Sequence, residues 1–191
     1  MTEEHGQVKD EELDPEAEAR RRLALAQIRQ YPDPALRMRA REVESFDDDL
    51  RRLVERMTAL MRDASGAGLA ATQVGVVRRV FVFQADSESE PQALVNPRIV
   101  QRSDEVEATE EGCLSMQGVR VPVERPVGVT VEAQDPSGAD VRLELENLGA
   151  RVAQHEVDHL DGVLMLDRTT AEARREALGI LRPMPLLSTL P

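Results

Sequence analysis

The run His155-Glu156-Val157-Asp158-His159 sets two imidazoles four residues apart, with a carboxyl beside the first. On an α-helix, residues i and i+4 share a face, so both rings can reach one metal ion. A glutamate next to the first ligand stands where a metal-held water needs a general base. The chain has three histidines in all, which makes this interval a specific signal. The plain alternative is a solvated helix that carries these residues by coincidence.

Two imidazoles do not complete a catalytic centre, which needs three protein ligands and one open position. Two sources of a third ligand are open. One is Glu172 or Glu176 downstream, the arrangement of a zincin metalloprotease. The other is Cys113, the only cysteine in the chain. Without a second cysteine it is a small buried apolar group, a reactive thiol or a metal thiolate.

The cysteine lies in Glu111-Gly112-Cys113-Leu114-Ser115, and upstream stands Gly66-Ala67-Gly68-Leu69-Ala70-Ala71-Thr72-Gln73-Val74-Gly75. With Gln154 through Gly162, these segments resemble the three signatures of the peptide deformylase family, in that family's order. Tyr31-Pro32-Asp33-Pro34-Ala35-Leu36-Arg37 is similar to its N-terminal segment, and the resemblance runs from about Ile28 to about Leu181. It implies that Cys113, His155 and His159 bind one divalent metal. Fe(II) is the ion expected in vivo, with Zn(II), Ni(II) and Co(II) as alternatives. It implies Glu156 as general base and then acid, with the Gln73 amide and the Leu114 N–H stabilising an oxyanion. Gly66, Ala67, Gly68, Glu111 and Gly112 would border the substrate. The implied reaction is hydrolysis of the N-terminal formyl group of N-formylmethionyl nascent peptides, releasing formate. Water activated on the metal would attack the formyl carbon, and Glu156 would pass its proton to the leaving amine. A transient ribosome contact through the C-terminal helix is a further implication, although Arg174 and Arg175 are offset there by Glu172 and Glu176.

The residue types agree with this chemistry independently. A thiolate with two imidazoles suits Fe(II), Zn, Ni or Co better than Mg or Ca. A side-chain amide and a backbone N–H are the neutral donors an oxyanion needs in a water-poor site. Glycines at 66 and 68 permit a substrate backbone to come close. Val152 precedes His155 by three and Leu148 precedes Val152 by four, so both lie near the ligand face. They either line a methionine pocket or belong to the ordinary core. Two positions depart from the common family pattern: Ala67, where a bulkier β-branched residue is usual, and Gln117, where proline often stands. A metal-stabilised peptide- or ribosome-binding module is the non-catalytic alternative. It predicts that Glu156 is dispensable.

The elements that must position these groups are legible in the rest of the chain. Its 191 residues suffice for one domain with a real core, built mostly from aliphatic residues since aromatics are 2%. A net charge of −12 argues against a nucleic-acid-binding surface, and no DNA partner is expected. No apolar run is long enough for a membrane span and no export signal opens the chain, so a cytoplasmic location is expected. The chain divides into an acidic N-terminal extension carrying a helix (1–27), a catalytic domain (28–182) and an irregular tail (183–191).

Residues 1–14 are acidic and read as disordered, with His5 among them. Pro15 to about Arg29 is a helix capped by Asp14. Phe46 to about Ala64 is an amphipathic helix with Ser45 as N-cap. Strands are expected at Val80–Phe83, Ala93–Val95, Ile99–Gln101, Val119–Val123, Val127–Ala133 and Val141–Leu145. Asp86–Pro91 is a polar loop, and Asp135–Gly138 a turn. Glu111–Ser115 falls between strands. Asn147 caps the metal-binding helix, which runs to Leu160 and is closed by Gly162. A charged, exposed helix spans about Thr170 to Leu178. The fold class is α+β: antiparallel sheets packed around a central metal-binding helix in a single domain.

Overall fold

The computed structural model of the chain describes residues 14–86 and 89–181. The acidic segment 1–13 with His5, and the tail expected over 183–191, lie outside the described residues. Helix α1 spans Pro15–Leu25, and the Asp14 carboxylate accepts from the Glu16 N–H as expected. It stops four residues before the predicted end. The N–H groups of Gln27 and Ile28 turn back to Ala24 and Leu25, and that of Arg29 is taken by the Gln73 carbonyl at 2.7 Å. Helix α2 spans Asp48–Asp63 and buries Leu50, Met57, Leu60 and Met61. Its cap is Asp47, not Ser45: the Asp47 carboxylate accepts from the Leu50 N–H at 3.0 Å. A carboxylate at that position meets both the free N–H groups and the positive end of the helix dipole.

Among the described residues seven strands follow: β1 Gly68–Ala70, β2 Val80–Phe83, β3 Gln92–Arg102, β4 Val106–Cys113, β5 Met116–Pro126, β6 Gly128–Gln134 and β7 Asp140–Glu146. Five form an antiparallel sheet in the order β1-β2-β3-β6-β7, with β1 at one edge. β4 and β5 form a separate antiparallel hairpin between β3 and β6 in the chain. The two short strands expected at 93–95 and 99–101 are one strand, β3. Its pairing with β6 shifts register between Val95 and Arg98, so Asn96 (φ +52°) and Pro97 are absorbed as a bulge. β4 was not predicted, and Glu111–Cys113 are its last residues rather than a loop; only Leu114 and Ser115 form the turn.

Helix α3, Asn147–Leu160, packs on β1, β2, β3, β6 and β7 on one side and on β5 on the other. Nearly every residue from Gly149 to Leu160 is therefore buried. Asn147 is not its side-chain cap. The cap position falls on Glu146, and Asn147 adopts φ +51° while its N–H goes to the Val127 carbonyl at 2.8 Å. The C-terminal prediction holds. Gly162 (φ +74°) gives its N–H to His159 and Val163 gives its N–H to Asp158, the two bonds of a Schellman closure. A Cβ at Gly162 would stand 2.5 Å from the Arg37 carbonyl oxygen, so a side chain is barred there twice over.

Short helix α4 (Met165–Arg168) and helix α5 (Ala171–Leu181) finish the described chain. α5 is not simply exposed. Ala173, Ala177, Leu178 and Leu181 pack on the apolar cluster of β5, which includes Val119, Val121 and Val123. Among the described residues no helix is long and apolar enough to cross a membrane.

Candidate active site

The metal helix and the hairpin turn meet at one point. Cys113 ends β4, and its Sγ lies 3.3 Å from His159 Nε2. His155, one turn earlier on α3, sets its ring edge-on to His159 with centroids 4.9 Å apart. The three donor atoms of Cys113, His155 and His159 lie within 4.8 Å of one another. With bonds of about 2.0–2.3 Å, two donors on a tetrahedral ion stand roughly 3.5 Å apart, so this cluster is the right size for one ion. Glu172 and Glu176 are exposed on α5 and lie outside the group.

The surrounding charges favour a cation here. Burial pulls the His155 imidazole down, but the neighbouring Cys113 and Glu111 outweigh it and hold the ring well above its ordinary value. Burial and the charge on His155 push His159 well below its ordinary value, which leaves it the neutral imidazole a metal requires.

Glu111 fixes the orientation of His155 by accepting from Nδ1 at 3.0 Å, so Nε2 faces the cluster. The same carboxylate accepts from Arg125 Nε at 2.6 Å, from Arg125 Nη2 at 3.0 Å and from Arg151 Nη1 at 2.9 Å. Burial raises the Glu111 carboxyl, and the His155 and Arg125 bonds more than reverse this, holding it far below the usual range. Arg125 also donates to Asp158 at 2.9 Å, and Arg168 of α4 closes on Asp158 at 3.1 and 2.6 Å. This chain of charges, buried except at Arg168, joins α4, α3 and the hairpin.

Glu156 is buried in the wall of a cleft, and its Oε2 has no hydrogen-bond partner among the described residues. Burial is the main cause that pushes its carboxyl up to about 7. The cleft, counted together with the solvent space at its mouth, holds about 520 Å³. Its walls include Gly66, Ala67, Gly68, Gln73, Glu111, Gly112, Cys113, Leu114, Leu148, Val152, His155 and Glu156. All predicted site residues except His159 thus line one cleft, with His159 buried directly behind Cys113. Leu148 and Val152 both reach it while still packing in the core between α3 and the sheet.

Gly68 has no room for a side chain: a Cβ there would stand 2.4 Å from Glu156 Oε1 and 2.8 Å from Val152 Cγ1. Gln73 sits in a single 3-10 turn, Ala71–Val74. Its Oε1 accepts from the Ala70 N–H at 2.8 Å, while its Nε2 points to Ser115 Oγ at 3.1 Å and Cys113 Sγ at 3.6 Å.

Sequence reasoning passed over Arg125, Arg151, Asp158 and Ser115. Arg151 and Asp158 had one available signal, since they are charged positions three or four residues from the predicted ligands on a helix otherwise reading as buried. Arg125 had none, because its partners lie on other elements.

Comparison with known proteins assigns the chain to a family. The Polypeptide deformylase family model matches residues 25–175. The peptide deformylase of Desulforudis audaxviator is 45% identical over 154 residues, covering 81% of this chain and 99% of its own length. That of Thermotoga maritima is 45% identical over 150 residues, covering 78% and 90%. The crystal structure of the Thermotoga maritima peptide deformylase superposes with a TM-score of 0.72, covering 75% of this chain and 96% of that one. Peptide deformylase 1B of Arabidopsis thaliana, crystallised with an inhibitor, gives 0.77 at 40% identity over 81% of this chain and 89% of its own. The chain belongs to the polypeptide deformylase family.

Proposed function

We propose that this chain hydrolyses the N-terminal formyl group of N-formylmethionyl peptides, releasing formate. One observation carries the reading: a thiol and two imidazoles converge within 4.8 Å beside the buried Glu156 carboxyl, in a cleft floored by glycine. Cys113, His155 and His159 would hold one divalent ion, and Fe(II) fits this sulfur–nitrogen donor set, as do Zn(II), Ni(II) and Co(II). When bound, such an ion supplies a Lewis acid that acidifies water and polarises a carbonyl.

The chain's own groups divide the remaining work. Glu156 takes a proton from the attacking water and returns it to the departing α-amine. A carboxyl near 7 is matched to both directions of that transfer. The Leu114 N–H, next to Cys113 in the chain, and the Gln73 amide, 3.6 Å from Cys113 Sγ, would stabilise charge on the formyl oxygen. Gly66 and Gly68 let the peptide backbone lie close along the edge strand β1. Leu148 and Val152 offer apolar surface to the methionine side chain. On α5, Arg174 is drawn toward Asp167 at 3.9 Å, so the helix presents a mixed face of Arg175, Glu172 and Glu176.

The test is formate release from a formyl-Met peptide by protein loaded anaerobically with Fe(II) and, separately, Zn(II). Turnover with at least one metal is expected, and Glu156→Gln should keep the metal and lose about two to four orders of magnitude in kcat. Absence of formate with both ions would overturn the proposal.

A further inference from the structure

Three consecutive residues between α1 and the 3-10 turn at Pro34–Arg37 bind the backbone of both segments that carry the oxyanion donors. The Arg29 N–H donates to the Gln73 carbonyl at 2.7 Å, and the Tyr31 N–H to the Ser115 carbonyl at 2.9 Å. Between them, the Gln30 side-chain amide donates to the Leu114 carbonyl at 3.0 Å and to the Ile28 carbonyl at 3.2 Å. Both amide hydrogens of the half-buried Gln30 are thereby used.

We propose that Gln30 is a positioning residue for the oxyanion site, fixing the Leu114–Ser115 turn and with it the direction of the Leu114 N–H. The hairpin alone does not fix this turn, because the β4–β5 register shifts between Gly112 and Cys113. Ser115 spends its N–H on Cys113 Sγ at 3.4 Å rather than on a ladder carbonyl. The peptide carrying the Leu114 N–H is planar, so its direction is set by what holds its two ends. Cys113 holds one end through β4 and the thiol cluster. Gln30 holds the next peptide, Leu114–Ser115, through the Leu114 carbonyl, which limits how the other end, at Leu114 Cα, can turn. The Leu114 side chain is buried in the apolar cluster with Ile28 and Leu69, which anchors the side chain but leaves the direction of the Leu114 carbonyl to Gln30.

The inference rests on the deformylase reading, and activity of the unaltered protein tests that reading first. The decisive variants are then Gln30→Met, which keeps length but donates nothing, and Gln30→Lys, which keeps a donor. Gln30→Met should lower kcat roughly tenfold, a fraction of the loss from deleting an oxyanion donor outright. Its KM and metal content should stay within about twofold of the parent, and Gln30→Lys should recover most of kcat. A purely structural clamp would instead lower metal content and raise KM together. An unchanged kcat in Gln30→Met, or a fall that tracks its metal content, overturns the inference. Should Gln30→Met not fold, Gln30→Lys against Gln30→Glu decides on the same terms, donor kept against donor lost.

Discussion

Replacing Glu111 by glutamine tests what the buried charges behind the metal cluster do. The side chain keeps its size but has one acceptor where the carboxylate has two. Oε1 receives Arg125 Nε and Arg151 Nη1, whereas Oε2 receives Arg125 Nη2 and His155 Nδ1. Two guanidinium donors hold the new carbonyl at the first position, so the new NH2 group faces Arg125 and His155. His155 can then satisfy it only by accepting at Nδ1, which moves its proton to Nε2, the nitrogen the metal needs free. Two charge-assisted bonds are lost at about 1.5–3 kcal/mol each. Arg125 retains Asp158, and Arg151 retains the carbonyls of Val123 and Glu107. That places the stability loss near the low end, about 3 kcal/mol, against the 3–5 typical of breaking a buried pair outright. For a chain of this size Tm should fall by roughly 6–12 °C. Metal affinity should fall by about 10- to 100-fold, as for other outer partners of a ligating histidine. Scanning calorimetry and competition with a chelator read the two quantities separately. A lowered Tm with metal affinity within twofold of the parent would refute the tautomer argument and leave Glu111 a scaffold residue.

Other substitutions separate the remaining roles. Gly68→Ala should retain fold and metal yet lose formate release by at least an order of magnitude, because the new methyl displaces Glu156; Gly66→Ala meets only the tip of Leu114 and should do far less. Cys113→Ala should abolish metal binding measured by mass spectrometry, whereas Glu172→Ala and Glu176→Ala should leave it intact; the opposite pattern would restore the zincin assignment. Asp167 is raised by burial but lowered more by its bonds to Arg37 and the Leu164 N–H, so its folded value lies below the ordinary one. A depressed carboxyl stabilises above its unfolded value, about 3.9, and that contribution is lost as pH falls through the folded value. Urea unfolding should therefore find Asp167→Asn less stable than the parent at pH 6 and their difference shrinking below about pH 4. A gap that persists in acid would sink this assignment.

The parts legible in the sequence are those encoded over short intervals. The His155–His159 spacing, the turn glycine at 162 and the Gly66–Gly75 segment each carry their geometry within a few residues. The β4 strand was not legible because Glu105, Glu107, Glu110 and Glu111 break any apolar alternation; most of its residues up to Glu110 face solvent, and only its end is buried. β3 read as two strands because Asn96-Pro97 is a breaker signal that the bulge tolerates. The pairing that links Arg168, Asp158, Arg125, Glu111 and His155 was not legible, although Glu111, Asp158 and His155 each carried a local signal. Its pairs form only after the hairpin docks on α3, and a charged residue shows no preference in advance for burial over solvent.

The span of these contacts has a kinetic consequence. Cys113 and His159 are 46 residues apart, Gln30 and Leu114 84, and Arg37 and Asp167 130. Closing such loops costs entropy before any contact compensates it, so these pairings belong to the late, slow stage of folding. Local pieces such as α2 and the β6–β7 hairpin can form while the donors are still dispersed. A cation capable of binding thiolate and imidazole then finds no complete cage on a partly folded chain. Tight metal capture becomes a report that the last docking step is finished, and the ion locks in place the step that folding completes last.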